Sequence, residues 1–221
     1  FMSVSPQSPD SIHLFRIKLS EDAQLSSNYA FPIRKKVNFK PEQVLPFDHL
    51  RSRKPEQRLH FYVHDPKFEC IWKDPFRYLS IFKEFKGVIT PDFSLYYDMP
   101  RAMQIWNTYR NRAIGHWLQH NGINIVPNIR WNDEKTYDFA FEGIESGGTV
   151  AVSTLGVIRN KYDRYLFQKG LNKMIEIIKP INVVCYGSMP ADIFDPVRTA
   201  KIGIFNIPSH TETIHKAKGG V

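Results

Sequence analysis

Cysteine is nearly absent: the 221-residue chain has two, Cys70 and Cys185. Two thiols far apart in sequence build neither a disulfide framework nor a four-ligand thiolate zinc site. Both sit among apolar or aromatic neighbours, so they are expected as free, buried thiols in a reducing compartment. Long apolar runs are missing too. No stretch approaches the roughly 20 residues that span a bilayer, and Phe1-Met2-Ser3-Val4-Ser5-Pro6 lacks the basic-then-apolar order of a secretory leader. The expectation is a cytoplasmic protein with no membrane partner. Glycine-built ligand loops are also lacking. There is no Gly-x-Gly-x-x-Gly, no phosphate loop ending Gly-Lys-Ser/Thr and no Gly-x-Ser-x-Gly elbow. His60 and His64 stand four apart, but Phe61 occupies the place where a helical zinc pair needs Glu, and they do not flank a single apolar residue as in a rolling-circle initiator. Glu142 is followed by Gly143-Ile144, not by the x-Lys of a restriction-type site. Neither a metal nor a cofactor is expected.

Positive charge and a large core are what remain. The formal net charge is +8 and the isoelectric point about 9.4, which favours anionic partners in general and nucleic acid among them. Hydrophobic residues make up 42% and aromatics 14%, enough for one sizeable domain.

The chain changes character near residue 59. Residues 1–58 are rich in Pro, Ser and charge, with scattered apolar anchors (Leu14, Phe15, Phe31, Phe47) and no sustained period, so they read as an irregular arm or wrapping segment. Its basic clusters, Arg34-Lys35-Lys36 and Arg51, Arg53, Lys54, Arg58, are either a solvated lead-in or an anion-binding arm. From 59 to 221 strands and helices alternate. Strands are expected at 59–63, 87–90, 123–126, 137–141, 149–152, 181–185 and 202–205. Helices are expected from Asp74-Pro75 to about Phe85, from Met99 to about Gln119 and from Asp163 to Ile178, the latter two on apolar stripes at three- and four-residue steps. Such alternation predicts an α/β domain with a mostly parallel sheet, barrel-like or partly open, with α+β as the competitor.

In parallel α/β folds ligands bind at the rim formed by the strands' carboxyl ends. The residues following each strand therefore nominate a site. Asp92 and Glu142 are the candidate acid/base pair. Asn128, Arg130 and Trp131 offer an amide, a guanidinium and a stacking surface within four residues, able to hold a base; Tyr186 joins them from a later strand. A buried Arg–carboxylate pair beside a packed Trp is the plainer account. Arg159, with Lys161 and Arg164, opens the second long helix, where free N–H groups favour an anion and basic side chains oppose the helix dipole.

From about Phe85 to Asp195 the chain resembles a family defined as a domain of unknown function, from bacteria, phages and mobile elements. The markers are Ile89-Thr90-Pro91-Asp92-Phe93-Ser94, Asn107-Thr108-Tyr109-Arg110, Val126-Pro127-Asn128-Ile129-Arg130-Trp131 and Val183-Val184-Cys185-Tyr186-Gly187-Ser188. The resemblance implies no activity, but it does imply mobile-element biology and so nucleic-acid or host-interaction roles. The resulting expectation is a nucleic-acid-directed protein, with Arg34, Lys35, Lys36, Arg51, Arg53 and Lys54 holding phosphates while the rim binds or modifies a base. The alternative is a non-enzymatic module that redirects a host protein.

Overall fold

A computed structural model describes residues 15–38 and 43–209. Seven strands, β1 (Val44–Pro46), β2 (Arg58–His60), β3 (Gly87–Ile89), β4 (Ile125–Val126), β5 (Thr149–Ser153), β6 (Asn182–Tyr186) and β7 (Gly203–Ile207), pair in parallel as β1-β2-β3-β4 and β5-β6-β7. An isolated parallel bridge, Asn128 with Ala151, carries the ladder from β4 to β5. There Ile129 N–H donates to Ala151 O, and Ala151 N–H to Pro127 O. Spatial order thus follows chain order, as in a (β/α) barrel, but among the described residues β7 does not pair with β1. Helices fill the crossovers: α1 (Glu69–Lys73) and α2 (Leu79–Lys83), then α3 (Arg101–His120), α4 (Tyr137–Ala140), α5 (Lys161–Ile178) and α6 (Ala191–Thr199). This is the expected α/β architecture.

Period-two alternation sorts the strand residues into two layers. Val88, Ile125, Val150, Val152, Val183 and Cys185 face outward onto the helices, where Phe68, Phe82, Ile114, Phe139, Leu171 and Phe194 meet them. Ile89, Val126, Ala151, Val184, Tyr186 and Ile207 face inward and pack together with Tyr62. In a flat sheet β2 and β6 would lie about 19 Å apart, four strand spacings of roughly 4.8 Å. Yet the Tyr62 and Tyr186 rings stack with centroids 4.7 Å apart. The sheet is therefore strongly curled around this inner layer. Both thiols are free; Cys185 is buried as expected, whereas Cys70 is only half-buried.

Three sequence expectations need correction. Tyr137–Ala140 is a helical turn, not a strand; the alternating aromatics Tyr137, Phe139 and Phe141 mimic a strand when the element is too short to show a helical period. Residues 191–199 form α6, hidden by Pro196 inside it. The segment before residue 59 is no detached arm. Val44–Pro46 is the first strand of the sheet, and Leu19, Phe31, Leu45 and Phe47 are core residues. The Glu142 carboxylate holds the N–H groups of Asn28 and Tyr29, and segment 34–37 runs beside 143–149 through Arg34 N–H to Gly143 O and Thr149 N–H to Val37 O. Apolar anchors too sparse to show periodicity are still enough to bury a segment.

Candidate functional site

Adjacent parallel strands deliver their C-terminal residues side by side, and β3 and β4 are such neighbours. Thr90 and Asp92 follow β3; Asn128 and Arg130 follow β4. The Asn128 N–H donates to Thr90 Oγ1 at 2.8 Å, its Nδ2 donates to Asp92 Oδ1 at 2.7 Å, and its Oδ1 accepts from the Tyr62 hydroxyl at 3.0 Å. Arg130 Nη1 donates to the second Asp92 oxygen at 3.1 Å. Asn128, 2% exposed, is thus locked in one orientation by three neighbours. Burial pushes the Asp92 carboxyl above the usual carboxylate range, against the pull of the Arg130 charge and the Asn128 hydrogen bond. Asp65, after β2, contributes a further repulsion to Asp92 and accepts both the N–H and the hydroxyl of Ser94. The Arg130 Nε is buried with no hydrogen-bond partner among the described residues.

Beneath this cluster lies an aromatic floor. His60, at the end of β2, stacks 4.7 Å from Tyr186, and its Nδ1 accepts the Tyr62 N–H. Burial lowers the His60 pKa to about 3 and raises the Tyr62 hydroxyl well above its ordinary value. Both are therefore neutral and act as oriented dipoles. Reading the sequence does not single them out as site residues, because the next polar pair, His64 and Asp65, marks the strand end more plainly. The signal that could have found them is the inward position of Tyr62 just past β2.

The structure brings Asp92, Asn128, Arg130 and Tyr186 to one place and leaves the other nominated rim residues outside that cluster. Because Tyr137–Ala140 is helical, Glu142 follows a helix rather than a strand, and its carboxylate anchors the Asn28 and Tyr29 N–H groups instead of meeting Asp92. It forms no acid/base pair with Asp92. Trp131 is 7% exposed and packs on Phe167 and Phe141; it is a core side chain with no face left for a base. Arg159 is exposed in the loop between β5 and α5, on the same rim, but makes no hydrogen bond to the cluster among the described residues.

The expected phosphate-binding set divides as well. Arg34 is 1% exposed, with Nη1 donating to Asn111 Oδ1 at 2.9 Å. Burial first, and then the Arg112 charge, pull its pKa well down. It cannot reach a phosphate. Arg53 is bound through Nε and Nη2 to Glu84. Lys35, Lys36, Arg51 and Lys54 are exposed.

A family model described as "Domain of unknown function (DUF4417)" matches residues 23–202. The chain belongs to the DUF4417 family. It is similar to the Gene 1 protein of Mycobacterium phage L5, 38% identical over 168 residues, covering 74% of this chain and 73% of that protein. It is also similar to the Gene 1 protein of Mycobacterium phage D29, 36% identical over 168 residues, with 74% of this chain and 62% of that protein covered. The chain thus spans less than two thirds of the D29 protein. No solved structure matches.

The DUF4417 match begins at residue 23, so it takes in most of the segment expected to lie outside the resemblance and agrees with that segment's place in the fold. Among the described residues no three His, Cys, Asp or Glu side chains are grouped to hold a metal ion, and no helix is long and apolar enough to cross a membrane. Beside Arg130, a hollow lined by Trp131, Ser153 and Phe167 holds only about 10 Å³, scarcely one water. Around the cluster lie exposed apolar and aromatic side chains: Tyr96 and Tyr97 (84% exposed) after β3, and Leu155 in the loop after β5 with Tyr162 in the first turn of α5. They flank the β4 loop, which carries Arg130.

Proposed function

We propose that this DUF4417 protein is a nucleic-acid-directed phage-type protein that engages single-stranded nucleic acid at the C-terminal rim of its sheet. The observation that supports this reading is the rim itself. The half-buried Asp92 and Arg130, held in place by the buried Asn128, can offer a base edge a carboxylate and a guanidinium, and solvent-facing tyrosines on both sides offer stacking surfaces. The hollow beside Arg130 is too small for an enclosed small molecule, so the shallow rim suits an extended ligand. Asp92, with its raised pKa, is the rim carboxyl placed to move a proton should a base be modified there.

The test is titration of labelled single- and double-stranded oligonucleotides at low salt. Tyr97→Ala should weaken single-strand binding by about 1–3 kcal/mol if a base stacks there, with Arg130→Gln altering base preference. No binding to either form would defeat the reading. It would promote a host-protein module instead, a reading favoured by Met103 and Trp106, which are exposed on α3 following the Tyr96-Tyr97 loop.

A further inference from the structure

The two ends of a parallel sheet differ, and at the end where the strands begin exposed lysines collect. We propose that the end where the strands begin is a separate surface built to hold nucleic-acid phosphates, six lysines forming the belt. Its partner is identified through the nucleic-acid reading above, which it extends to a second face.

The placement follows from topology. Lys54 precedes β2, Lys83 ends α2 just before β3, Lys179 caps α5 before β6, and Lys201 follows α6 before β7. Lys35 and Lys36 reach the same end: the Lys35 backbone exchanges hydrogen bonds with Gln119 in the last turn of α3, and Lys36 lies against Gly148 just before β5. All six are exposed. Three carboxylates of neighbouring segments already pair with other cations, Glu56 with Lys86, Glu84 with Arg53 and Glu176 with Lys173; Glu142 and Glu145 accept backbone N–H groups, of Asn28 and Tyr29 and of Lys36, and form no ion pair among the described residues. None of the six lysines forms an ion pair among the described residues.

Lys179 and Lys201 adopt left-handed backbone, φ 48° and 55°, at helix ends where glycine is the unstrained choice, so both can be replaced by glycine without strain. Spacing supports the belt. The belt from β2 to β7 runs along five strand spacings, roughly 24 Å of curved edge. One strand of a duplex carries a phosphate per about 3.4 Å of axis, so about seven duplex phosphates, and fewer of an extended single strand, would span the six lysines. The exposed Ile177 and Ile181 at this end are single side chains of an ordinary surface, not an insertion patch.

The experiment compares three proteins against labelled single- and double-stranded oligonucleotides at two salt concentrations. These are the wild type, a belt variant (Lys35, Lys36, Lys54 and Lys83→Ser, Lys179→Gly, Lys201→Gly) and the rim variant Arg130→Gln. Each phosphate contact contributes about 0.7–0.9 to the log–log salt slope. The belt variant should lose most of that slope while melting cooperatively, the two glycines relieving strain rather than adding it; Arg130→Gln should lose at most one contact's worth. A folded belt variant with the wild-type slope overturns this surface and leaves the rim reading standing. Wild-type binding to phosphatidylglycerol vesicles but to neither oligonucleotide overturns both.

Discussion

His60 shows how one buried side chain couples folding to pH. Its ring is 2% exposed, and burial holds its pKa at about 3, against an unfolded value near 6.5. The folded state refuses a proton that the unfolded chain takes up, so this contribution is complete above about pH 6.5 and is lost as pH falls toward 3. Between pH 7 and pH 5 the loss should be about 2 kcal/mol. Urea unfolding of wild type and His60→Gln at both pH values measures it: the difference between the two proteins should shrink on acidification. An unchanged difference would mean that His60 titrates normally. Asp92 runs in the opposite sense, its raised pKa making ionisation a cost of the fold near neutral pH. Of the rim, Asp92, Asn128 and Arg130 were legible in the sequence because a strand end and its polar residues are local features. Arg34 was not: charge is written in the sequence, but whether a cation is buried depends on what packs over it.

At the scale of elements, α3, α5 and the apolar strand β6 were legible because each is long enough to repeat its pattern. The four residues of α4 are not, and misreading them as a strand made Glu142 a strand-end residue when it follows a helix. The helix α5 also holds a contest of signs. Alanine is a better helix former than glycine by about 1 kcal/mol, but a Cβ at Gly170 would collide with the Trp131 indole at Nε1. Overpacking of this kind costs typically about 1–3 kcal/mol, so Gly170→Ala should destabilise the protein on balance and shift Trp131 fluorescence. A more stable variant with an unaltered emission spectrum would refute that packing. Strand β6 gives a harder test. Val184, fully buried in the inner layer, should not tolerate Asp, because an unpaired charge there costs several kcal/mol. Soluble, cooperatively melting Val184→Asp would show that this strand is not interior.

For the molecule as a whole, the open question in the sequence was whether residues before 59 are an appendage. Their lack of periodicity suggested so, since anchors spaced irregularly satisfy neither a helix nor a strand template. In the fold they are bound one contact at a time: Leu19 and Phe31, each 1% exposed, enter the core on either side of the Glu142 anchor, and Arg34 fills the space between Thr90 and Asn111 against Gly115. A chain shortened to begin at residue 43 would expose the surfaces that Leu19 and Phe31 cover, at about 1.5–3 kcal/mol each. It would also leave the half-buried Glu142 carboxylate without its donors, adding about 1–3 kcal/mol. The total is comparable with the roughly 5–15 kcal/mol that holds a typical domain together. The shortened chain should therefore lose cooperative melting, or melt far below the full chain, in calorimetry or circular dichroism. If it melts cooperatively at the full chain's midpoint, the segment is an appendage after all, and the lysines at 35 and 36 belong to a tether rather than to the belt at the strands' beginning.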